Sequence, residues 1–138
     1  MMEGDKTLFV SVEKKVKSIV EGVYLVKAKG RIDSDTYTIL DKKIKPILLS
    51  STKLIILDME YVDYISSAGL SVIFQAKKIV EGNNGSLIIV SLQPQIKKVF
   101  EVMKALPSQN IFRNMAEVDA YLDMVQKREI EKQREKML

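Results

Sequence analysis

Apolar and polar residues alternate in blocks along the chain, and the period of each block predicts a strand or a helix. Runs rich in β-forming residues occupy residues 23–30, 53–59 and 87–90, and the last two are apolar enough to be buried on both faces of a sheet. Residues 7–20 contain alternating apolar positions broken by charges, which predict one or two edge strands. A short last strand is predicted at residues 110–112.

Between these runs the apolar residues recur at helical spacing. One such stretch covers residues 39–47, and Pro46 should end or kink it, because proline lacks the N–H that a helix interior needs. A second stretch runs through residues 70–82, and a third begins at Pro94, where proline suits a first helical turn. The resulting order, β-β-α-β-α-β-α-β-α, predicts an α/β domain with a mixed sheet and helices packed against it.

The C-terminal segment is predicted to form one long helix over residues 116–138. Asn114 is suited to cap it, and Glu117 three residues later completes a capping-box pattern. Apolar residues of its first half can pack on the domain, whereas beyond Gln126 the apolar repeat fails and mixed charges predict a solvated helix or a dimer contact. We therefore expect a single domain over residues 1–125, with its core in about residues 7–122, and a charged helical extension over residues 126–138.

The amino-acid composition is informative mainly because it excludes several kinds of site and classes of enzyme. The 138 residues include no cysteine and no histidine, so a disulfide, a thiol nucleophile, a thiolate metal site and a Ser-His-Asp hydrolase are all excluded. The net charge of +4 is too mild and too mixed to predict a nucleic-acid partner. No tract of about 18 apolar residues and no secretory signal pattern are visible, so the expected location is the cytoplasm, without membrane insertion.

The stretch "DYISSAGLSV" carries the candidate chemistry, because it sets two hydroxyls and two small residues between a strand and a helix. One serine is explained as a helix cap, which stabilises a helix by about 1 kcal/mol. Ala68 and Gly69 leave the turn without bulk, so a partner protein or a nucleotide phosphate could approach the neighbouring hydroxyl. One of the two hydroxyls, that of Ser66 or that of Ser67, is expected to cap the helix, and the other is well placed as an accessible phosphate acceptor, for which a partner must supply the base and the nucleotide.

The turn "GRID" at residues 30–33, a helix, and then "LIILDMEYVDYISSAGLSVIFQAKK" and "LIIV" together resemble the STAS domain of bacterial anti-sigma factor antagonists. The resemblance spans about residues 23–121 and implies a STAS-like mixed sheet of four to five strands, with helices packed against it and the long C-terminal helix added. In that family the serine of the turn "D-S-[ST]-G-L" is phosphorylated. This serine corresponds to Ser67, while Ser66 replaces the aspartate and is the second candidate acceptor.

The resemblance implies a partner-switching adapter rather than an enzyme. Such a protein binds an anti-sigma factor with serine kinase activity when unphosphorylated and leaves it when phosphorylated at Ser67, and a serine phosphatase is the further partner. Asp33, Ser66, Ala68 and Gly69 are the expected partner-binding residues, although Asp33 is equally suited to cap the helix that follows it. No metal, cofactor or catalytic residue is expected, and the sequence does not fix the oligomeric state.

Two alternatives stay open beside this interpretation. The chain could be a non-phosphorylated STAS interaction subunit of a transporter or signalling complex, which the loss of the aspartate at Ser66 and the charged tail favour modestly. An enzyme or nucleotide-binding domain is disfavoured, because the sequence lacks the glycine-rich phosphate-binding patterns and the nucleophile pattern G-x-S-x-G.

Overall fold

A computed structural model describes residues 8–15, 21–105 and 114–137 of the chain. It contains four strands: β1 (Phe9–Lys14), β2 (Val23–Ile32), β3 (Leu54–Ile65) and β4 (Ser86–Val90). Its four α-helices are α1 (Tyr37–Ile44), α2 (Ser67–Gly82), α3 (Pro94–Ala105) and α4 (Met115–Lys136). The predicted strand at residues 110–112, and any second edge strand in residues 16–20, lie outside the described residues.

The strands form one mixed sheet in the order β1-β2-β3-β4, which confirms the predicted fold class. β1 pairs with β2 antiparallel, and β2-β3 and β3-β4 pair parallel, with α1 and α2 as the connections between the parallel neighbours. α1 and α2 pack side by side against the sheet, while α3 lies against β3 and pairs with α4. The apolar half of β3 is buried as its sequence predicts, with Ile55, Leu57 and Met59 all fully buried.

Two strands extend further than the apolar pattern predicts. β2 continues past Gly30, whose φ of 122° accompanies a bulge in the pairing with β3, and ends at Ile32. β3 continues through a more polar half to Ile65, in which register shifts break the strict alternation but Val62 and Ile65 are still fully buried. The first helix ends at Ile44, and Lys45–Ile47 form a 3₁₀ turn, so Pro46 stops the helix as expected.

These extensions place two turns at the same edge of the sheet. β2 and β3 are parallel, so their carboxyl ends lie side by side, with Ile32 paired to Ile65. Asp33 follows the first strand end and Ser66 follows the second. The backbone N–H of Ser66 donates to the carbonyl of Ile32 at 2.9 Å, which fixes the start of α2 against the end of β2.

Gly69 in the first turn of α2 lies directly against these strand ends. A Cβ atom at this position would lie 2.5 Å from Cγ2 of Ile32 and 3.0 Å from Cγ1 of Ile65, and both isoleucines are fully buried. The helix can start this close to β2 and β3 only because residue 69 has no side chain. Gly69 is therefore a packing requirement of the site.

We predict that Gly69→Ala lowers the free energy of unfolding by about 1–3 kcal/mol, because the added methyl group must displace two packed isoleucines. Urea denaturation followed by circular dichroism measures the change. Gly82→Ala is the matched control, since a Cβ at Gly82, at the other end of α2, meets nothing within 4 Å. The control should be neutral or slightly stabilising, and equal effects of the two substitutions would contradict the close approach described for Gly69.

Candidate functional site

Ser66 caps α2, as the sequence predicts. Its backbone is extended and its Oγ accepts a hydrogen bond from the N–H of Gly69 at 3.4 Å. The residue is only 3% exposed, and its hydroxyl has this structural task at the start of the helix. Any modification of the Ser66 hydroxyl would have to break this cap.

Ser67 is the first residue of α2, and its polar groups point to a carboxylate of another helix. Its backbone N–H and its hydroxyl both donate to Oδ1 of Asp119 in α4, at 3.0 Å and 2.6 Å. The residue is 6% exposed, so the expectation that the Ser67 hydroxyl is accessible is wrong for this conformation. The physical reason is α4, which supplies an anion to the unpaired N–H at the start of α2 and covers the hydroxyl in doing so.

Gln126 of α4 holds the last residue of β3. Its Oε1 accepts from the N–H of Ile65 at 3.0 Å, and its Nε2 donates to the carbonyl of Ile65 at 2.9 Å and to that of Leu122 at 3.1 Å. Gln126 is 2% exposed and Ile65 is fully buried. The amide thus satisfies both backbone groups of a fully buried strand end.

Tyr64 ties the same strand to α4 and to β2. Its hydroxyl donates to Oδ1 of Asp123 at 2.5 Å, and the guanidinium of Arg31 lies 3.8 Å from the centre of its ring. Burial raises the pKa of the Tyr64 hydroxyl far above its ordinary value, and the hydrogen bond to Asp123 raises it further. Tyr64 is therefore a permanent donor to α4 throughout the physiological range.

Asp33 has a defined structural task in the turn between β2 and α1. Its Oδ1 accepts from the backbone N–H groups of Asp35 at 2.9 Å and Thr36 at 3.1 Å, and its Oδ2 accepts from Nε of Arg31 at 3.0 Å. Burial alone would raise the pKa of the Asp33 carboxyl, but these hydrogen bonds outweigh it and the pKa lies below its ordinary value. Asp33 thus closes the turn ahead of α1, whose N-cap is Thr36 without a side-chain cap hydrogen bond, so the helix-capping role expected for Asp33 is wrong. Its role in partner binding stays a prediction.

The four expected partner-binding residues differ in how much surface they offer. Asp33 and Ala68 are partly exposed, whereas Ser66 and Gly69 are buried. Arg31 joins the two turns, because it contacts Asp33 on one side and Tyr64 on the other. In this conformation a partner could touch Asp33 and Ala68, while Ser66 and Gly69 shape the turn from beneath.

Sequence reasoning missed the contribution of α4 to this site. Asp119, Asp123 and Gln126 follow the spacing i, i+4, i+7 and so share one face of α4. Each bonds to one residue of the segment Tyr64–Ser67. The signal was present as a polar stripe beside the apolar residues Leu122 and Val125, but a polar stripe on a helix ordinarily faces solvent.

Within the described parts of the chain, no group of three or more acidic side chains could hold a metal ion. The helices described there include none that is long and apolar enough to cross a membrane. The chemistry that the site offers is instead that of an alcohol at a helix start, beside a carboxylate.

Comparison with known proteins gives this geometry a context. The family model described as STAS domain matches residues 14–118 of the chain. A curated relative, the putative anti-sigma factor antagonist BtrV of Bordetella bronchiseptica, is 28% identical over 83 residues, which cover 60% of this chain and 72% of that protein. An anti-sigma-B factor antagonist of Staphylococcus aureus is 29% identical over 79 residues, which cover 57% of this chain and 73% of that protein.

Solved structures share the fold at lower identity. An anti-sigma factor antagonist from Mycobacterium paratuberculosis has a TM-score of 0.62 at 17% identity, covering 89% of this chain and 99% of that one. The anti-sigma factor antagonist SpoIIAA in its unphosphorylated form has a TM-score of 0.56 at 18% identity, covering 67% and 82%. Bacillus SpoIIAA in the phosphorylated form has a TM-score of 0.54 at 17% identity, covering 67% and 83%.

We predict that Gln126→Ala lowers the free energy of unfolding by about 2–3 kcal/mol, because both backbone groups of Ile65 lose a buried partner. Chemical denaturation measures the loss. Gln133→Ala is the control in the same helix, since Gln133 bonds only to the side chain of Glu129 at 2.8 Å and should change stability by less than about 0.5 kcal/mol. A loss at Gln126 no larger than that of the control would contradict the role of its amide.

We also predict that Tyr64 does not ionise together with ordinary tyrosines. Absorbance at 295 nm, followed from about pH 9 to pH 11 with the fold checked by circular dichroism, should give the same amplitude for the wild type and for Tyr64→Phe. The reason is that burial and the bond to Asp123 keep Tyr64 protonated over this range. If the substitution removes one tyrosine's share of the amplitude, the buried donor described above is absent.

Proposed function

Because the chain belongs to the STAS domain family, we propose that it is an anti-sigma factor antagonist that is switched by phosphorylation of Ser67. When unphosphorylated it binds an anti-sigma factor with serine kinase activity, and when phosphorylated it leaves that partner. The names of its curated relatives support the antagonist role, and the existence of a phosphorylated form of SpoIIAA supports the modification. The cytoplasm, where sigma factors act, is the location that goes with this function.

The observation that carries the proposal is the side-chain carboxylate of Asp119, which is hydrogen-bonded to Ser67. A carboxylate oxygen of Asp119 lies 3.0 Å from the backbone nitrogen and 2.6 Å from the hydroxyl oxygen of Ser67. The start of α2 thus accommodates negative charge next to the hydroxyl, as helix N-termini generally do. A phosphate on the same hydroxyl would find that N–H as a donor, so the modification need not unfold the domain.

The transfer itself needs a partner enzyme. Oγ of Ser67 attacks the γ-phosphorus of ATP, a new O–P bond forms, and the bond between that phosphorus and the β–γ bridging oxygen breaks to release ADP. The hydroxyl proton passes to a base of the kinase. A serine phosphatase reverses the modification by transferring the phosphoryl group to water.

The phosphate would act on the affinity of a partner protein that docks on the surface around the turn. Phosphorylation adds about 1.5 to 2 negative charges to Ser67, next to the partly exposed Ala68. A docked partner would then have to desolvate a dianion. An unfavourable change of about 3–4 kcal/mol lowers affinity several-hundred-fold, which is enough to release a partner.

One observation favours a second candidate, a STAS interaction subunit that is not phosphorylated. Ser66 and Ser67 are 3% and 6% exposed, and both hydroxyls already have hydrogen-bond partners. A chain that used these serines only to build the turn would show the same contacts. The two candidates differ in whether a kinase can modify Ser67.

The test is phosphorylation with purified components. The protein is incubated with ATP and an anti-sigma factor kinase from the same genome, and the modified residue is mapped by mass spectrometry. We predict phosphate on Ser67, its loss in Ser67→Ala, and its retention in Ser71→Ala, the control on an exposed serine of the same helix. Ser66→Ala should retain it as well, despite losing about 1 kcal/mol of capping stability.

The binding arm of the same experiment measures the switch. Calorimetry with that kinase should give an affinity at least a hundredfold weaker for the phosphorylated protein than for the unphosphorylated one. Binding without phosphorylation at either Ser66 or Ser67 would favour the second candidate and overturn the switch. Failure of the kinase to bind either form would overturn the antagonist role with this partner.

A further inference from the structure

We infer that the first turn of α4, residues 115–119, is a latch that covers Ser67 in the unphosphorylated protein and is released by the phosphate. This inference rests on the proposed function, since it concerns the regulation of the same serine. It assigns to Asp119 a role that goes beyond helix capping. The carboxylate of Asp119 occupies the position that the phosphoryl group of Ser67 would need.

The closed state is defined by two hydrogen bonds to one oxygen. Oδ1 of Asp119 receives both the N–H and the O–H of Ser67, so the hydroxyl proton and the approach to Oγ are engaged together. A kinase must bring the γ-phosphorus of ATP into line with Oγ, and at 6% exposure Ser67 leaves no room for it. Phosphorylation therefore requires a conformation in which Asp119 has moved away.

Burial along α4 indicates which part of the helix moves. In its first turn Ala116, Glu117 and Ala120 are exposed, and Val118 and Asp119 are only partly buried. Further along, Leu122 is fully buried, Gln126 is 2% exposed and Val125 is 9% exposed. The first turn can therefore unwind while the rest of α4 stays docked on α3 and β3, because local openings follow the local density of buried contacts.

Asn114, the N-cap of α4, stabilises the first turn of the helix. Its side-chain oxygen accepts the N–H of Glu117 at 3.0 Å, and its backbone is extended, as in an N-cap. Asn114 is exposed, so its substitution removes a cap without creating a cavity in the core. The cap of Asn114 thus stabilises the latch from within the helix, and Asp119 connects the latch to the site.

Phosphorylation reverses the interaction that keeps the latch closed. The hydroxyl proton that Ser67 donates to Asp119 is lost, and a group of about −1.5 to −2 charges takes its place beside the carboxylate. The phosphate oxygens also compete for the N–H of Ser67. One strong attraction becomes a like-charge repulsion at hydrogen-bond distance, and the first turn of α4 leaves α2.

Closure and phosphorylation therefore exclude one another, and the coupling works in both directions. Whatever stabilises the closed turn lowers the fraction of molecules that the kinase can modify, and the phosphate lowers the fraction that is closed. A partner that docks against the start of α2 must likewise displace Asp119. The first turn of α4 would thus slow both the phosphorylation of Ser67 and the binding of a partner at the start of α2.

The kinetic test compares initial rates of Ser67 phosphorylation at equal kinase and ATP. We predict that Asp119→Ala raises the rate at least about tenfold, because it removes two hydrogen bonds to a charged group, and that Asn114→Ala raises it severalfold. Glu131→Ala, an exposed acidic position of the same helix, is the control and should leave the rate unchanged. An unchanged or slower rate in Asp119→Ala overturns the latch, and a slower rate would make Asp119 an acceptor of the Ser67 proton.

The structural test needs no kinase. Phosphoserine is introduced at position 67 during synthesis, and amide hydrogen exchange is measured over residues 115–121. Exchange should be about tenfold faster than in the unphosphorylated chain, whereas in Asp119→Lys the phosphate should slow it, because a lysine attracts the group that an aspartate repels. Unchanged exchange in the wild type, or acceleration in both backgrounds, overturns the latch, while a lack of kinase activity alone would overturn only the proposed function.

Discussion

The start of α2 must find acceptors for its backbone N–H groups at the point where two parallel strands end, and much of this structure follows from that requirement. Ser66 supplies one acceptor from within the chain segment itself, through its hydroxyl bonded to Gly69. Asp119 supplies the other from α4, 52 residues away in sequence. In the described part of the chain no buried side-chain nitrogen or oxygen lacks a hydrogen-bond partner, and in the closed conformation it is α4 that supplies the partner of the Ser67 hydroxyl.

The way α4 is attached explains how one helix can be both anchor and latch. Leu122 and Val125 bury apolar side chains, each stabilising the docked helix by about 1.5–3 kcal/mol, and Gln126 closes the end of β3. The contact of Asp119 is polar, lies one turn nearer the start of the helix and has exposed neighbours. Loss of this one contact leaves the apolar anchor intact, so the site can open without the domain unfolding.

The sequence predicted the parts of this site that are local and missed those that cross the fold. The period of the apolar residues located four strands and four helices, and the turn chemistry of Ser66 and Asp33 was readable from residue type and position. β3 was predicted too short, because its second half alternates weakly beside charged residues. The contacts of Arg31 with Tyr64 and of Asp119 with Ser67 join residues 33 and 52 positions apart, and no local period reports such pairs.

Accessibility was the property that sequence reasoning could least predict. Small residues at a helix start leave room for a partner to approach, which was the expectation for Ala68 and Gly69. The cover over Ser67 comes from a helix whose polar stripe looked like an ordinary solvated face. Burial of a hydroxyl depends on what the rest of the chain brings to it, and only the docking of α4 on α3 brings Asp119 there.

Because residue 66 is a neutral serine, the negative charge at the start of α2 comes from Asp119 of α4. The family's turn motif has an aspartate at this position, so that its negative charge lies on the turn itself, whereas Ser66 caps the helix without a charge. The carboxylate bonded to the start of α2 in this chain is that of Asp119. A fixed charge would be present in every conformation, but a charge supplied by α4 is present only when that helix is closed. The electrostatics of the turn thus depend on the position of α4. Loss of the contact between Asp119 and Ser67 is enough to remove the negative charge beside Ser67 and to expose its hydroxyl.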